Sequence, residues 1–147
     1  MVDEPAHLAT ALLLLIALIA VHESPPASGF VLGALVASVV IDLDHLPGYL
    51  GWDGLIGDLP RPFTHSLFTV GCLVGAGVVL HAEHRAYALG AAFGVAAHLF
   101  RDSATGPGLP LFWPLSAGTV QVAYVVFVIG LATAVAVVLA RQSRKTR

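Results

Sequence analysis

Charge is scarce in this chain. Asp, Glu, Lys and Arg make up 11% of its 147 residues, against about 25% in an average soluble domain, too little to coat a water-soluble surface. Seven Lys and Arg face nine Asp and Glu for a net charge of −2. No basic surface therefore exists to hold nucleic acid by releasing counterions. Cysteine is nearly absent as well: Cys72 is the one thiol, which excludes an internal disulfide and a CxxC-type redox or zinc site. What fills the chain instead is 57% hydrophobic residues at a mean hydropathy of +0.86, spread along its whole length. That content is too apolar for disorder and its runs are too long for an amphipathic surface. One domain is expected at this length, and the class is a small multi-pass membrane protein.

Runs free of charge cover residues 8–21, 25–41, 64–80, 86–100 and 103–140, the last broken by Gly106, Pro107, Pro110 and Pro114 and helical from residue 119. A helix needs about 20 residues to span the hydrocarbon core, so the first four must extend into the interface through their polar ends. Breaker clusters separate them: Ser24, Pro25 and Pro26, then the glycines and prolines from Pro47 to Pro62, then Gly106 to Pro114. The expected fold is all-α, a bundle of about five transmembrane helices with a polar metal site at one membrane face. Residues 1–140 form one transmembrane domain and 141–147 a basic C-terminal tail. The first segment opens on Asp3 and Glu4 and lacks the positive n-region of a signal peptide, so it is expected to be retained. With the N-terminus outside, the inner side collects five cations, Arg85, Arg141, Arg144, Lys145 and Arg147, and the outer side two, Arg61 and Arg101. The positive-inside rule favours that orientation.

Ionisable groups within membrane helices are functional candidates because they are costly in hydrocarbon. His7 opens the first helix, Asp42, Asp44 and His45 close the second, Arg61 and His65 open the third, and His98, Arg101 and Asp102 close the fourth. Successive helices alternate direction, so all four ends lie on one side of the membrane. His22, Glu23, His81, Glu83, His84 and Arg85 fall on the other side and read as ordinary solvated connections. His98 and Asp102 are i and i+4, Asp42 and His45 i and i+3, so each pair can address one ion from one helix face. Asp44 lies off that face; it needs the helix to unwind, binds a second ion, or orients a histidine from behind. Four His and three Asp without Cys suit zinc, or else manganese or iron, and are enough for one or two ions. Plainer alternatives stand beside these: a solvated His7, a structural His98–Asp102 hydrogen bond, a polar helix stop at Asp42 to His45, and Thr64 as the N-cap of a helix that starts at His65. Trp52 and Trp113 read as interfacial anchors. Gly71, Gly75, Gly90 and Gly94 supply small-xxx-small spacing, for close helix packing or for a homodimer.

At these residues the chain resembles the family of small membrane-bound metal-dependent hydrolases, LexA-binding and inner-membrane-associated. The resemblance is carried by His7, by Asp42-Leu43-Asp44-His45, by the stretch from Arg61 to Ser66, and by His98-x-x-x-Asp102 followed by Phe112-Trp113-Pro114. It departs from that pattern at Pro62, where glycine is expected. It implies a metal-dependent hydrolase. The ligand order is also distantly similar to that of the all-helical zinc-dependent phospholipases C, which favours phosphoesters. The phosphatidic acid phosphatase type 2 enzymes share H-x-x-x-D and an Arg-Pro pair, but their other motifs are missing here, which disfavours a metal-free histidine nucleophile.

The expected activity is hydrolysis of a phosphoester or other ester of a lipid-linked substrate by metal-activated water. His7, Asp42, His45, His65, His98 and Asp102 are the expected ligands, with Asp44 as ligand or general base. Arg61 and Arg101 are expected to clamp an anionic headgroup, unless Arg101 pairs with Asp102. Two rival classes remain. One is an ion transporter, although polar residues are nearly absent from the helix interiors. The other is an adaptor with a structural metal that binds a soluble regulatory protein through the tail.

Overall fold

The computed structural model describes residues 4–22, 24–51 and 61–146. Trp52 lies outside the described residues. Among them all regular structure is helical and no strand is present. Helix α1 is Glu4–His22. Helix α2, Ser28–Val40, runs on through a 3₁₀ turn, Ile41–His45, into the short α3, Leu46–Tyr49. Then come α4, Leu67–Val79, α5, Ala82–Thr105, and α6, Tyr124–Lys145. Glu4–His22, Ser28–Gly48 and Tyr124–Arg144 are each long and apolar enough to cross a membrane, and Leu67–Val79 is a shorter apolar helix.

Helix α5 is the centre of the bundle, with α1, α2, α4 and α6 all packed against it. Its 24 residues extend beyond the charge-free run at both ends. The extension is stable because Asp102 meets its partners inside the protein rather than lipid. Gly90 and Gly94 explain how closely α2 lies: a Cβ at either would run into the Phe30 or Ala34 carbonyl oxygen of α2. That is the close packing expected of this pair. Gly71 and Gly75 on α4 face open space instead, so the spacing alone did not distinguish packed from unpacked glycines.

Two boundaries differ from expectation. Helix α4 starts at Leu67 with Ser66 as its N-cap residue, because Thr64 is engaged elsewhere. Its C-terminal carbonyls are met by Arg85, whose Nε donates to Gly77 O at 3.0 Å, satisfying groups a helix end leaves open. Helix α6 starts at Tyr124 rather than at residue 119. The preceding segment folds back: Leu109 and Val120 form an antiparallel bridge, Val122 N donates to Ser103 O at 2.7 Å, and Leu67 N donates to Leu111 O at 2.9 Å. The proline- and glycine-rich stretch is therefore an ordered cap. Leu109, fully buried, joins Val95 and Leu99 in the hydrophobic core. Trp113 packs tilted against Phe63 and edge-to-face against Phe68, at ring-centroid distances of 4.7 and 5.7 Å. Arg141 and Arg144 continue α6 as its last turns.

Candidate metal centre

The four helix ends meet. Asp42 from the 3₁₀ turn, His65 from the segment before α4, and His98 and Asp102 from α5 each offer one ligand atom, all within 4.8 Å of one another. Asp42 Oδ1 lies 3.4 Å from His65 Nε2 and 3.4 Å from His98 Nε2. Asp102 Oδ2 lies 3.1 Å from His98 Nε2 and 3.7 Å from His65 Nε2. Ligands about 2.0–2.1 Å from a tetrahedral zinc stand about 3.3 Å apart, the same scale as these separations.

Hydrogen bonding directs both imidazoles. His98 Nδ1 donates to the Ser38 carbonyl at 2.9 Å, so the neutral ring turns a lone pair on Nε2 toward the carboxylates of Asp42 and Asp102. His65 is arranged in the same way, with Nδ1 3.1 Å from Asp44 Oδ2 and Nε2 facing Asp42 and Asp102. Lone pairs facing carboxylate oxygens repel unless a proton or a cation lies between them. Burial disfavours the charged form of His65, but the Asp42 and Asp44 carboxylates outweigh it and raise its pKa. His65 Nε2 and Asp42 Oδ2 are buried without a hydrogen-bond partner among the described residues, a state that native interiors rarely leave unexplained. Arg61 offsets one of the three carboxylate charges of Asp42, Asp44 and Asp102, and the other two call for protons on the imidazoles or for a cation. The donor set, the orphaned atoms and the excess negative charge all fit a divalent cation.

Asp44 stands behind the tetrad. At 3.6 residues per turn it would point about 160° from Asp42, whereas the 3.0-residue turn reduces this to about 120°. The chain tightens at Ile41–His45 rather than unwinding, and Asp44 reaches both His65 and the Thr64 hydroxyl, which donates to Oδ2. Thr64 is thus a support for Asp44 and not a helix cap. His45 Nδ1 lies 2.8 Å from Asp44 Oδ1 and 3.8 Å from Asp42 Oδ1. With Asp44 and His65 it forms a second grouping that shares His65 with the first. His7 is buried beside the tetrad, its ring stacked on His98 at 3.8 Å and 13°, with Nε2 3.4 Å from Asp102 Oδ1.

The two arginines diverge. Arg61 Nη1 donates to Asp102 Oδ2, across the centre from its own segment. Arg101 places its guanidinium carbon 6.0 Å from the Phe127 ring centroid on α6. Sequence reasoning missed the Ser38 carbonyl, which no side-chain pattern announces. It also missed Thr64 as a partner of Asp44, although its place beside His65 was a usable signal.

Fold and centre together define a class, the small all-helical membrane protein with a buried histidine and aspartate cluster at one end of its bundle. The YdjM inner membrane protein family matches over residues 1–147, and the chain belongs to that family. No curated protein and no solved structure matches it.

Proposed function

We propose that this chain is a membrane-bound hydrolase in which Asp42, His65, His98 and Asp102 hold a divalent cation, zinc ahead of manganese or iron. Its substrate is a phosphoester or other ester of a lipid-linked molecule. One observation carries the reading: two imidazole Nε2 atoms, each fixed by a hydrogen bond on the opposite nitrogen, face two carboxylates within 4.8 Å. A merely structural His–Asp hydrogen bond would not leave His65 Nε2 and Asp42 Oδ2 buried and unpaired. The grouping of Asp44, His45 and His65 shares His65 with the tetrad, so a second ion there would take His65 Nδ1 in place of its hydrogen bond to Asp44.

When bound, such a cation supplies water activated near neutral pH and neutralises charge growing on the ester oxygen. The chain's own residues do the rest. Ser38 and Asp44 hold the two rings in the tautomer that presents Nε2, and outer partners of this kind commonly set ligand orientation and basicity. Arg61, seated on Asp102, places a guanidinium where an anionic headgroup or developing negative charge is met by a planar pair of donors. A centre near the ends of membrane helices suits a substrate with its tail in the bilayer and its head at the metal.

Helices α1, α2, α4, α5 and α6 are all taken to cross the membrane, with the centre outside and the C-terminus inside, as the five-to-two distribution of Lys and Arg favours. C-terminal fusions to green fluorescent protein and to alkaline phosphatase test this, with fluorescence and no phosphatase activity expected.

The functional test is the metal content of detergent-purified protein, measured by plasma mass spectrometry, with phosphoester-lipid hydrolysis assayed on the same samples. Stoichiometric zinc, manganese or iron is expected, with metal and hydrolysis both lost in Asp42→Ala and in His98→Ala. Hydrolysis unchanged in both variants would overturn the reading. Failure to bind metal even after reconstitution would transfer the assignment to an adaptor built around a polar hydrogen-bond network.

A further inference from the structure

We infer that the end of the bundle remote from the metal centre binds an anionic phospholipid, its phosphodiester on Arg141 and the start of one acyl chain in the cleft between α1 and α6. The inference stands apart from the hydrolase reading, because it concerns neither the tetrad nor its substrate. Helices α1 and α6 pack together, and toward their C-terminal ends lies a cavity of about 160 Å³ walled by Ile16, Ile19, Ala20, Val138, Arg141 and Gln142. Positions 16, 19 and 20 on α1 are i, i+3 and i+4, as are 138, 141 and 142 on α6, so a single face of each helix borders the cleft. The first turn of α1, by contrast, carries His7, stacked on the ligand His98.

The wall changes character along α6. Ile16, Ile19, Ala20 and Val138 are apolar, and the next turn of α6 brings a guanidinium and an amide. Arg141 is half-buried at the cleft, whereas Arg144, one turn on, is exposed. A purely apolar covering matches the four apolar walls and not the guanidinium. An anionic phospholipid matches both: Arg141 offers its phosphate a planar pair of donors, Gln142 a neutral one, and the arginine stem continues the apolar wall. The surrounding charge has the required sign. No Asp or Glu occurs from residue 103 to 147, and Arg141, Arg144, Lys145 and Arg147 all fall within the last seven residues. With Arg85 these five outnumber the two acids that the sequence assigns to this side, Glu23 and Glu83. Such clusters at the end of a membrane helix attract anionic headgroups.

The test follows the unfolding midpoint of the full chain in an uncharged detergent as phosphatidylglycerol or phosphatidylcholine with the same acyl chains is titrated in, because a ligand bound only by the folded state raises that midpoint. Phosphatidylglycerol is expected to act at lower concentration than phosphatidylcholine. Arg141→Gln should weaken its apparent affinity about fivefold, the effect of one cation near an anionic surface, and Arg144→Gln should weaken it less. Ala20→Leu leaves every charge in place and should also weaken it, by filling the cleft; Val138→Phe replaces that variant if it does not elute as the wild type does. Equal action of the two lipids would reduce the cleft to an apolar surface and overturn the inference. Equal losses in Arg141→Gln and Arg144→Gln, with none in the filled variant, would overturn it by assigning the preference to the diffuse charge of the tail. A midpoint shift reproduced by glycerol phosphate at the concentration of the lipid would also overturn it, since the ligand would then be a soluble phosphate.

Discussion

Arg61 and Asp102 are 41 positions apart, and the guanidinium Nη1 donates directly to the carboxylate Oδ2 of a residue that also faces His65 and His98. The two side chains are 15% and 3% exposed, so the pair is largely removed from solvent. Removing one member of a buried pair typically costs about 3–5 kcal/mol, because the other charge is left uncompensated. Arg61→Ala should therefore lower stability by about 3 kcal/mol. Arg61→Lys should recover part of that loss, since an ammonium keeps the charge but not the planar fork. Thermal unfolding in detergent measures both, and an unchanged midpoint in Arg61→Ala would show that the pair contributes nothing.

Gly106 lies against that guanidinium: a Cβ there would collide with Arg61 Nη2. The arginine end is flexible but engaged with Asp102, so Gly106→Ala is expected to disturb the same contact from the opposite side. Its stability loss should combine less than additively with that of Arg61→Lys, as contacting sites do. Full additivity in the double variant would separate the two positions.

Asp44 acts through His65, and Asp42 faces the tetrad itself. Asp44→Asn should weaken zinc binding about 10–100-fold, the usual effect of losing an outer partner, while Asp42→Asn should abolish stoichiometric binding. Competition against a chelator of known affinity resolves the two grades, and equal losses would place Asp44 among the direct ligands.

The glycines offer a contrast within one fold. Gly90→Ala and Gly94→Ala drive a methyl group into the α2 backbone and should cost about 1–3 kcal/mol, as overpacking does. Gly71→Ala and Gly75→Ala meet open space and should stay within about 0.5 kcal/mol. Detergent unfolding of the four variants checks this, and a large loss at Gly71 or Gly75 would point to an interface between copies.

Several features of the centre were legible before any coordinates. His7, Asp42, His65, His98 and Asp102 announce themselves as ionisable groups at the ends of runs made mostly of Ala, Val, Leu and Gly, and alternation of helix direction brings them to one side. The boundaries of α4 and α6 were not legible. Thr64 has the chemistry of a helix cap, yet its hydroxyl goes to Asp44, and residues 119–122 read as helix until Val120 pairs with Leu109. In both cases a long-range partner outcompeted the local preference.

Composition and charge placement by themselves determined an all-helical membrane chain and the set of polar groups at one end, because the cost of ionisable groups in hydrocarbon depends on residue type and on position along a span. Tertiary structure alone decided which of those groups converge. The 3₁₀ turn swings Asp44 behind His65, the Ser38 carbonyl orients His98, and Arg61 lies on Asp102. Each depends on distances of a few ångströms between residues remote along the chain, and helical periodicity constrains only neighbours three or four positions apart.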